Sequence, residues 1–148
     1  MRVALVTEPI DAAALLHEVG AQASGATTLF LGTVRDVNDG RAVVGIDYSA
    51  YEKMAALELA RIAGDAAARF GTDHIVVVHR IGTLGLGEVS VAIALSHAHR
   101  GPALDASRFI IEELKVRVPI WKQEHYADGT REWVDPSRQA QPSAAGAA

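Results

Sequence analysis

The sequence predicts a single α+β domain, and three observations carry that prediction. Two stretches show helical periodicity, Ala55–Phe70 and Pro102–Arg117. Runs rich in β-branched and apolar residues surround them, and two of these runs, Ala26–Val34 and Val43–Tyr51, follow each other with no helix between. A strictly alternating parallel α/β chain would not do that. The third observation is size: 148 residues without internal repeats suit one domain, which buries about 68–70% of the surface its unfolded chain exposes.

Taken in order, Arg2–Val6 reads as a short strand. Asp11 is placed to cap a helix through about Val19, with Ala14, Leu15 and Val19 as its apolar stripe. Ala26–Val34 and Val43–Tyr51 are the second and third strands, and Gly40 marks the turn between them. In the Ala55–Phe70 helix, Leu59, Ile62 and Ala66 recur at spacings of three and four, and Gly71 stands where a C-cap glycine belongs. His74–Ile81 contains Ile75-Val76-Val77-Val78, a strand expected to be buried on both faces. Gly82, Gly85 and Gly87 punctuate a loop. Glu88–His97 follows as a strand with Val89, Val91, Ile93 and Leu95 on one face and small residues on the other. Pro102 takes the first position of the second long helix, and Val118-Pro119 closes it, because a residue before proline avoids helical angles. Ile120–Tyr126 is the final strand. Pro136–Ala148, built of Ala, Ser, Gln, Pro, Gly and one arginine, reads as a disordered tail, which leaves 1–135 as the domain.

Composition removes several classes of function. A net charge of −4 argues against nonspecific nucleic-acid binding. No apolar run approaches the roughly 20 residues of a membrane helix, and Met1–Pro9 lacks the apolar core of a signal peptide, so a cytoplasmic protein is expected. The chain has no cysteine. Disulfides, thiolate zinc sites, iron–sulfur clusters and a covalent persulfide on this chain are thereby excluded. Of its 14 basic residues only Lys53, Lys115 and Lys122 are lysines, so two lysines in one short segment stand out.

Three segments carry candidate chemistry. In Ser96-His97-Ala98-His99-Arg100-Gly101-Pro102 a strand gives way to a helix, whose free amides and positive dipole end would suit a phosphate beside His99 and Arg100. The bland alternative is a solvated arginine and a turn histidine. A His97/His99 metal pair is weaker still, because no third ligand falls at a recognisable spacing. In the segment Leu114–Glu124, Lys115 sits in a last helical turn, where a cation stabilises the dipole by about 0.3–1 kcal/mol. Strand alternation then puts Ile120, Lys122 and Glu124 on one face, opposite Trp121, Gln123 and His125. An edge strand also carries lysine against aggregation. In Gly32-Thr33-Val34-Arg35-Asp36 the glycine permits close backbone approach, and Arg35 could grip an anion in two-pronged fashion or form a surface salt bridge.

Each signal is weak singly; their order is not. Gly32-Thr33-Val34-Arg35-Asp36, Tyr48 to Glu52 with Met54, His79-Arg80-Ile81-Gly82, Ser96 to Arg100, Leu114-Lys115, Val118 to Glu124 and Asp128-Gly129 to Trp133 follow one another along the chain. This series, covering Thr27 to Trp133, resembles the MoaE family, the catalytic (large) subunits of molybdopterin synthase. The resemblance implies an α/β hammerhead with an additional small antiparallel β-sheet, and a homodimer that binds two copies of a small ubiquitin-like sulfur carrier, forming a heterotetramer. The carrier's C-terminal Gly-Gly thiocarboxylate would enter the active site and convert cyclic pyranopterin monophosphate (precursor Z) to molybdopterin, with no cofactor. It also implies a substrate pocket at Thr33, Val34, Arg35, His99, Arg100, Lys115, Lys122, Gln123 and Glu124, with Lys115 and Lys122 catalytic. Arg138 matches only loosely an arginine that the family supplies from the other subunit. The rivals are a phosphate-binding module without catalysis, which needs nothing of Lys122, a metal-dependent hydrolase on His97 and His99, and an inactive scaffold for the carrier.

Overall fold

The computed structural model describes residues 1–134. The expected tail at Pro136–Ala148, and Arg138 with it, lies outside the described residues. The elements are β1 (Arg2–Val6), α1 (Ala12–Val19), β2 (Ala26–Thr33), β3 (Val37–Asn38), β4 (Arg41–Ala50), α2 (Glu52–Phe70), β5 (Ile75–Arg80), β6 (Gly82–Gly85), β7 (Val89–His97), α3 (Arg100–Arg117), β8 (Ile120–Tyr126) and β9 (Arg131–Val134). They form two sheets, ordered β1-β5-β7-β2 and β3-β4-β8-β9, with β6 also paired to β4. The α+β class and the additional antiparallel sheet are both present. No helix among the described residues is long and apolar enough to cross a membrane.

The central strands of the first sheet, β5 and β7, are buried on both sides, as the Ile75–Val78 run requires. Its odd positions, Ile75 and Val77 with Val91, Ile93 and Leu95, pack with Leu59 and Ile62 of α2 and with Ile110 of α3. Its even positions, Val76, Val78, Ala92 and Ala94, meet Leu15 and Val19 of α1. The small alanines let α1 lie close. Val43, Ile46 and Tyr48 of β4 and Ile120 and Tyr126 of β8 join the first cluster, so both sheets share one core. That shared core brings the end of α3 against the start of β8, where the candidate lysines lie.

Several expectations need correction. The apolar stripe of α1 is Leu15 and Val19; Ala14 is exposed, because two turns touch the sheet only every fourth residue. Val89 lies on the α1 face of β7, apart from Val91. The cause is a bulge: Gly32 pairs Val91 and Thr33 pairs Val89, leaving Ser90 as an extra residue that flips the alternation. A Cβ at Gly32 would stand 2.6 Å from Val91 Cγ1, so the glycine does allow a close approach there. The glycine run after β5 contains a strand, β6, whose Leu84 is fully buried. β3 and β9 are also strands that periodicity did not reveal. β3 has two residues, and its hairpin turns through Asp39 (φ 49) and Gly40 (φ 74), the positive angles of a type I′ turn. Helix α2 starts at Glu52, earlier than Ala55. Helix α3 starts at Arg100, so Pro102 is its third residue; within the first turn a missing N–H costs nothing.

Candidate active site

The last turn of α3 lays Leu114 into the core and turns Lys115 toward β5 and β4. Val118 caps the helix, its N–H bonded to the Leu114 carbonyl at 3.1 Å, and Pro119 redirects the chain into β8. The bend leaves a small cavity lined by Tyr48, His79, Leu114, Lys115, Val118 and Ile120. Lys115 has no hydrogen bond or ion pair among the described residues. Burial, and secondarily the charge of Lys122, push its pKa below the ordinary lysine value.

Lys122 is held differently. Its Nζ lies 3.1 Å from Glu124 Oε1, on the same face of β8, opposite Tyr48 of β4. Glu124 is only 1% exposed. Asn38 Nδ2 donates to both its oxygens at 2.8 and 2.9 Å, and the Tyr126 hydroxyl donates to Oε2 at 2.9 Å. Burial alone would raise the Glu124 pKa; the bonds from Asn38, Tyr126 and Lys122, with the Lys122 charge, outweigh it and hold the carboxyl below its usual range. Burial and the bond to Glu124 push the Tyr126 phenol up to about 12. The two lysines thus differ in kind: one paired cation, one uncompensated.

His79 closes the cavity from β5, packed edge-on against Tyr48 with ring centroids 5.2 Å apart. Its Nδ1 lies 2.8 Å from the Arg80 carbonyl. A carbonyl only accepts, so Nδ1 carries the proton and Nε2 keeps a lone pair. Burial first, and the charge of Lys115 after it, lower the pKa to about 4 against the partial opposition of that backbone bond. The sign follows from linkage. The unfolded chain takes up a proton near 6.5 that the folded chain refuses until about 4, so stability from His79 is full above 6.5 and is lost as pH falls through that window. The loss should approach about 3 kcal/mol at the low end. Urea unfolding of wild type and His79→Phe between these pH values checks this: the wild type should lose stability more steeply, and parallel curves would refute it.

The remaining predicted residues divide. Val34 is buried, and its backbone pairs with Glu88 and Gly87, which fixes where the chain leaves β2. Thr33 and Arg35 are exposed; Arg35 Nη2 reaches Asn38 Oδ1 at 3.4 Å and so connects to the Glu124 network. Gln123 faces away from Lys122 by strand alternation. His99 and Arg100 are exposed at the N-terminus of α3. The His99 N–H donates to His97 Nδ1 at 2.9 Å, so His97 Nε2 carries the proton and donates to the Phe70 carbonyl at 2.8 Å. Both ring nitrogens of His97 are thus committed, one to the start of α3 and the other to the end of α2. Lys115 lies fifteen residue steps along α3 from Arg100, which is about 22 Å at 1.5 Å each. Within one chain the structure therefore does not bring the α3 anion site to the lysines. Sequence reasoning missed Asn38 and Tyr126 as neighbours of the site, and used Tyr48 and His79 only as parts of motifs. A buried run followed by His-Arg was a signal for His79; Asn38 offered none.

Fold and site together define a class: a mixed α+β protein whose last helix and second sheet bring together two unlike lysines, one buried without a counter-ion and one paired with a buried carboxylate that Asn38 links to Arg35. Comparison with known proteins narrows this. Residues 5–117 match the model of the MoaE protein family, and the chain belongs to that family. It is 40% identical over 142 residues to the molybdopterin synthase catalytic subunit of Drosophila melanogaster, a match covering 95% of this chain and 39% of that protein. It is 38% identical over 118 residues to the protein of the same name from Emericella nidulans, covering 80% of this chain and 60% of that one. The chain thus spans less than two thirds of the length of each of these relatives. The crystal structure of molybdopterin synthase from Staphylococcus aureus superposes with a TM-score of 0.81 at 33% identity, covering 88% of this chain and 94% of that one.

Proposed function

We propose that this chain is the catalytic subunit of a molybdopterin synthase. It converts cyclic pyranopterin monophosphate to molybdopterin, taking one sulfur from the C-terminal thiocarboxylate of each of two small ubiquitin-like carriers and leaving each with an ordinary carboxylate. The observation that carries this reading is the pair of unlike lysines: Lys115 buried without a counter-ion, Lys122 paired with a buried carboxylate. A thiocarboxylate and a cyclic phosphate are both anions, and they meet only where converging cations offset their repulsion. Lys122 supplies a fixed positive charge. Lys115, whose ammonium form burial and the Lys122 charge disfavour, gives up a proton more readily than an ordinary lysine and is suited to proton transfer. Arg35, exposed and joined to the Glu124–Lys122 pair through Asn38, is suited to the phosphate.

The partners follow from the same chemistry. A chain without cysteine cannot carry the sulfur itself, so it arrives on the carrier, whose terminal glycines can pass a channel that side chains would block. His99 and Arg100 can serve a substrate at Lys115 only if a second copy presents its α3 start, so the working unit is a homodimer with one carrier per subunit, a heterotetramer.

Incubating the protein with thiocarboxylated carrier and precursor Z tests the reading. Molybdopterin should form with two carriers consumed per product, and none should form with carrier bearing an ordinary carboxylate. Absence of product under saturating carrier would refute it and favour a phosphate-binding module.

A further inference from the structure

We infer that Asn38 is a positioning residue for Lys122: it holds the Glu124 carboxylate in the orientation that pairs with the ammonium, and links that pair to Arg35. The inference rests on the sulfur-transfer reading for what Lys122 does, and on its own geometry for how Lys122 is held.

Asn38 ends β3, and the type I′ turn at Asp39 and Gly40 sets its register opposite Arg41 of β4. The backbone therefore decides where the amide goes. A carboxylate can only accept, so the Asn38 amide nitrogen must face Glu124 and its Oδ1 must face away. Away from Glu124 it meets Arg35 Nη2, at 3.4 Å. Arg35, Asn38, Glu124 and Lys122 thus form one line of contacts from an exposed guanidinium to a nearly buried ammonium.

Glu124 could not sit there as an anion unaided, because a buried carboxylate is costly unless its oxygens are satisfied. The polar and charged groups around it are few. Lys122 and Tyr126 lie on its own strand, Asn38 and Arg35 come from the β2–β3 side, Tyr48 comes from β4, and Glu132 pairs with it from β9. Arg41 lies 3.4 Å over the Tyr126 ring but donates to Glu132 and Thr130. Among the described residues, only Asn38 donates to both Glu124 oxygens. Without it each oxygen keeps one partner, the carboxylate is free to turn or take a proton, and Lys122 loses its fixed counter-charge.

The test uses the full chain with thiocarboxylated carrier and precursor Z, comparing wild type, Asn38→Ala and Asn38→Asp. Asn38→Ala should lower kcat roughly tenfold to a hundredfold, as small misplacements of a reacting group do, with a smaller change in KM for the pterin. Asn38→Asp sets two carboxyls against each other. As pH falls, one takes a proton and its O–H donates to the other, so its activity relative to wild type should recover toward acid pH, while Asn38→Ala should not. An activity-independent readout is the Glu124 side-chain carboxyl signal in NMR, followed against pH. Its midpoint should be low in wild type and raised in both variants. An unmoved midpoint overturns the inference, whether kcat is normal or falls only in step with lost thermal stability. If the midpoint moves but wild type makes no molybdopterin, the inference about Glu124 stands and the sulfur-transfer reading falls.

Discussion

Lys115→Met is expected to abolish measurable turnover while leaving the fold at least as stable as wild type at neutral pH. General acid–base groups contribute about 10²–10⁴-fold, so a loss of that order is the minimum expected. The stability half comes from the sign of the pKa shift. Burial lowers the Lys115 pKa in the folded chain, so the folded state binds its proton less readily than the unfolded state. Its contribution is neutral above the unfolded lysine value of about 10.4, becomes a growing penalty as pH falls from there toward the folded value, and is constant below that. An apolar side chain of similar length removes that penalty, so the advantage of Lys115→Met over wild type should grow from pH 10 to pH 7. Lys122→Met should also stop turnover but should lose stability, by about 1–3 kcal/mol, because it strips a partner from the buried Glu124. Urea unfolding at the two pH values with parallel turnover assays reads both effects. Normal turnover in Lys115→Met would refute the proton-transfer role, and a stability loss as large as that of Lys122→Met would make Lys115 structural.

What the sequence made legible was local. The Ile75–Val78 run announced a strand covered on both faces, Val118-Pro119 announced the end of α3, and alternation along Ile120–Tyr126 put Lys122 and Glu124 on one face before any coordinates. What stayed hidden was short or distant. β3 has two residues and β6 begins and ends in glycine, so neither shows a period; both exist because β4 offers edges for them to pair with. The Ser90 bulge, which moved Val89 to the other face, is a property of two strands together and not of β7 alone. Asn38 meets Glu124 across 86 positions of sequence, a contact that no local pattern encodes. One site feature was readable and easily passed over. His99-Arg100 and Lys115 bracket a single continuous helix, so its length alone separates two motifs that look like parts of one pocket.

That separation yields the last expected result: Lys115→Ala and Arg100→Ala, each nearly inactive alone, should restore activity when their subunits are mixed. About 22 Å of rigid α3 lies between the two residues in one chain, too far for a lysine and an arginine to touch the same small substrate. If both serve one reaction, each site must take Lys115 from one subunit and Arg100 from its partner. A two-fold dimer makes this reciprocal, so in a mixed dimer one site carries both substitutions and the other carries neither. Random mixing makes about half of the dimers mixed, and half of their sites intact, so recovery should approach about a quarter of wild-type turnover per site. Co-refolding or co-expression of differently tagged subunits, followed by purification of the doubly tagged dimer, should raise that to about half. No recovery in a verified mixed dimer would mean that Arg100 acts elsewhere than at the Lys115 site. Recovery without subunit exchange, with the two variants mixed as preformed dimers at a concentration where light scattering shows no dissociation, would instead point to a product released by one variant and finished by the other. Only the exchange-dependent outcome fits a site built across the dimer, with the α3 start of each subunit presenting its amides and guanidinium to the lysines of the other.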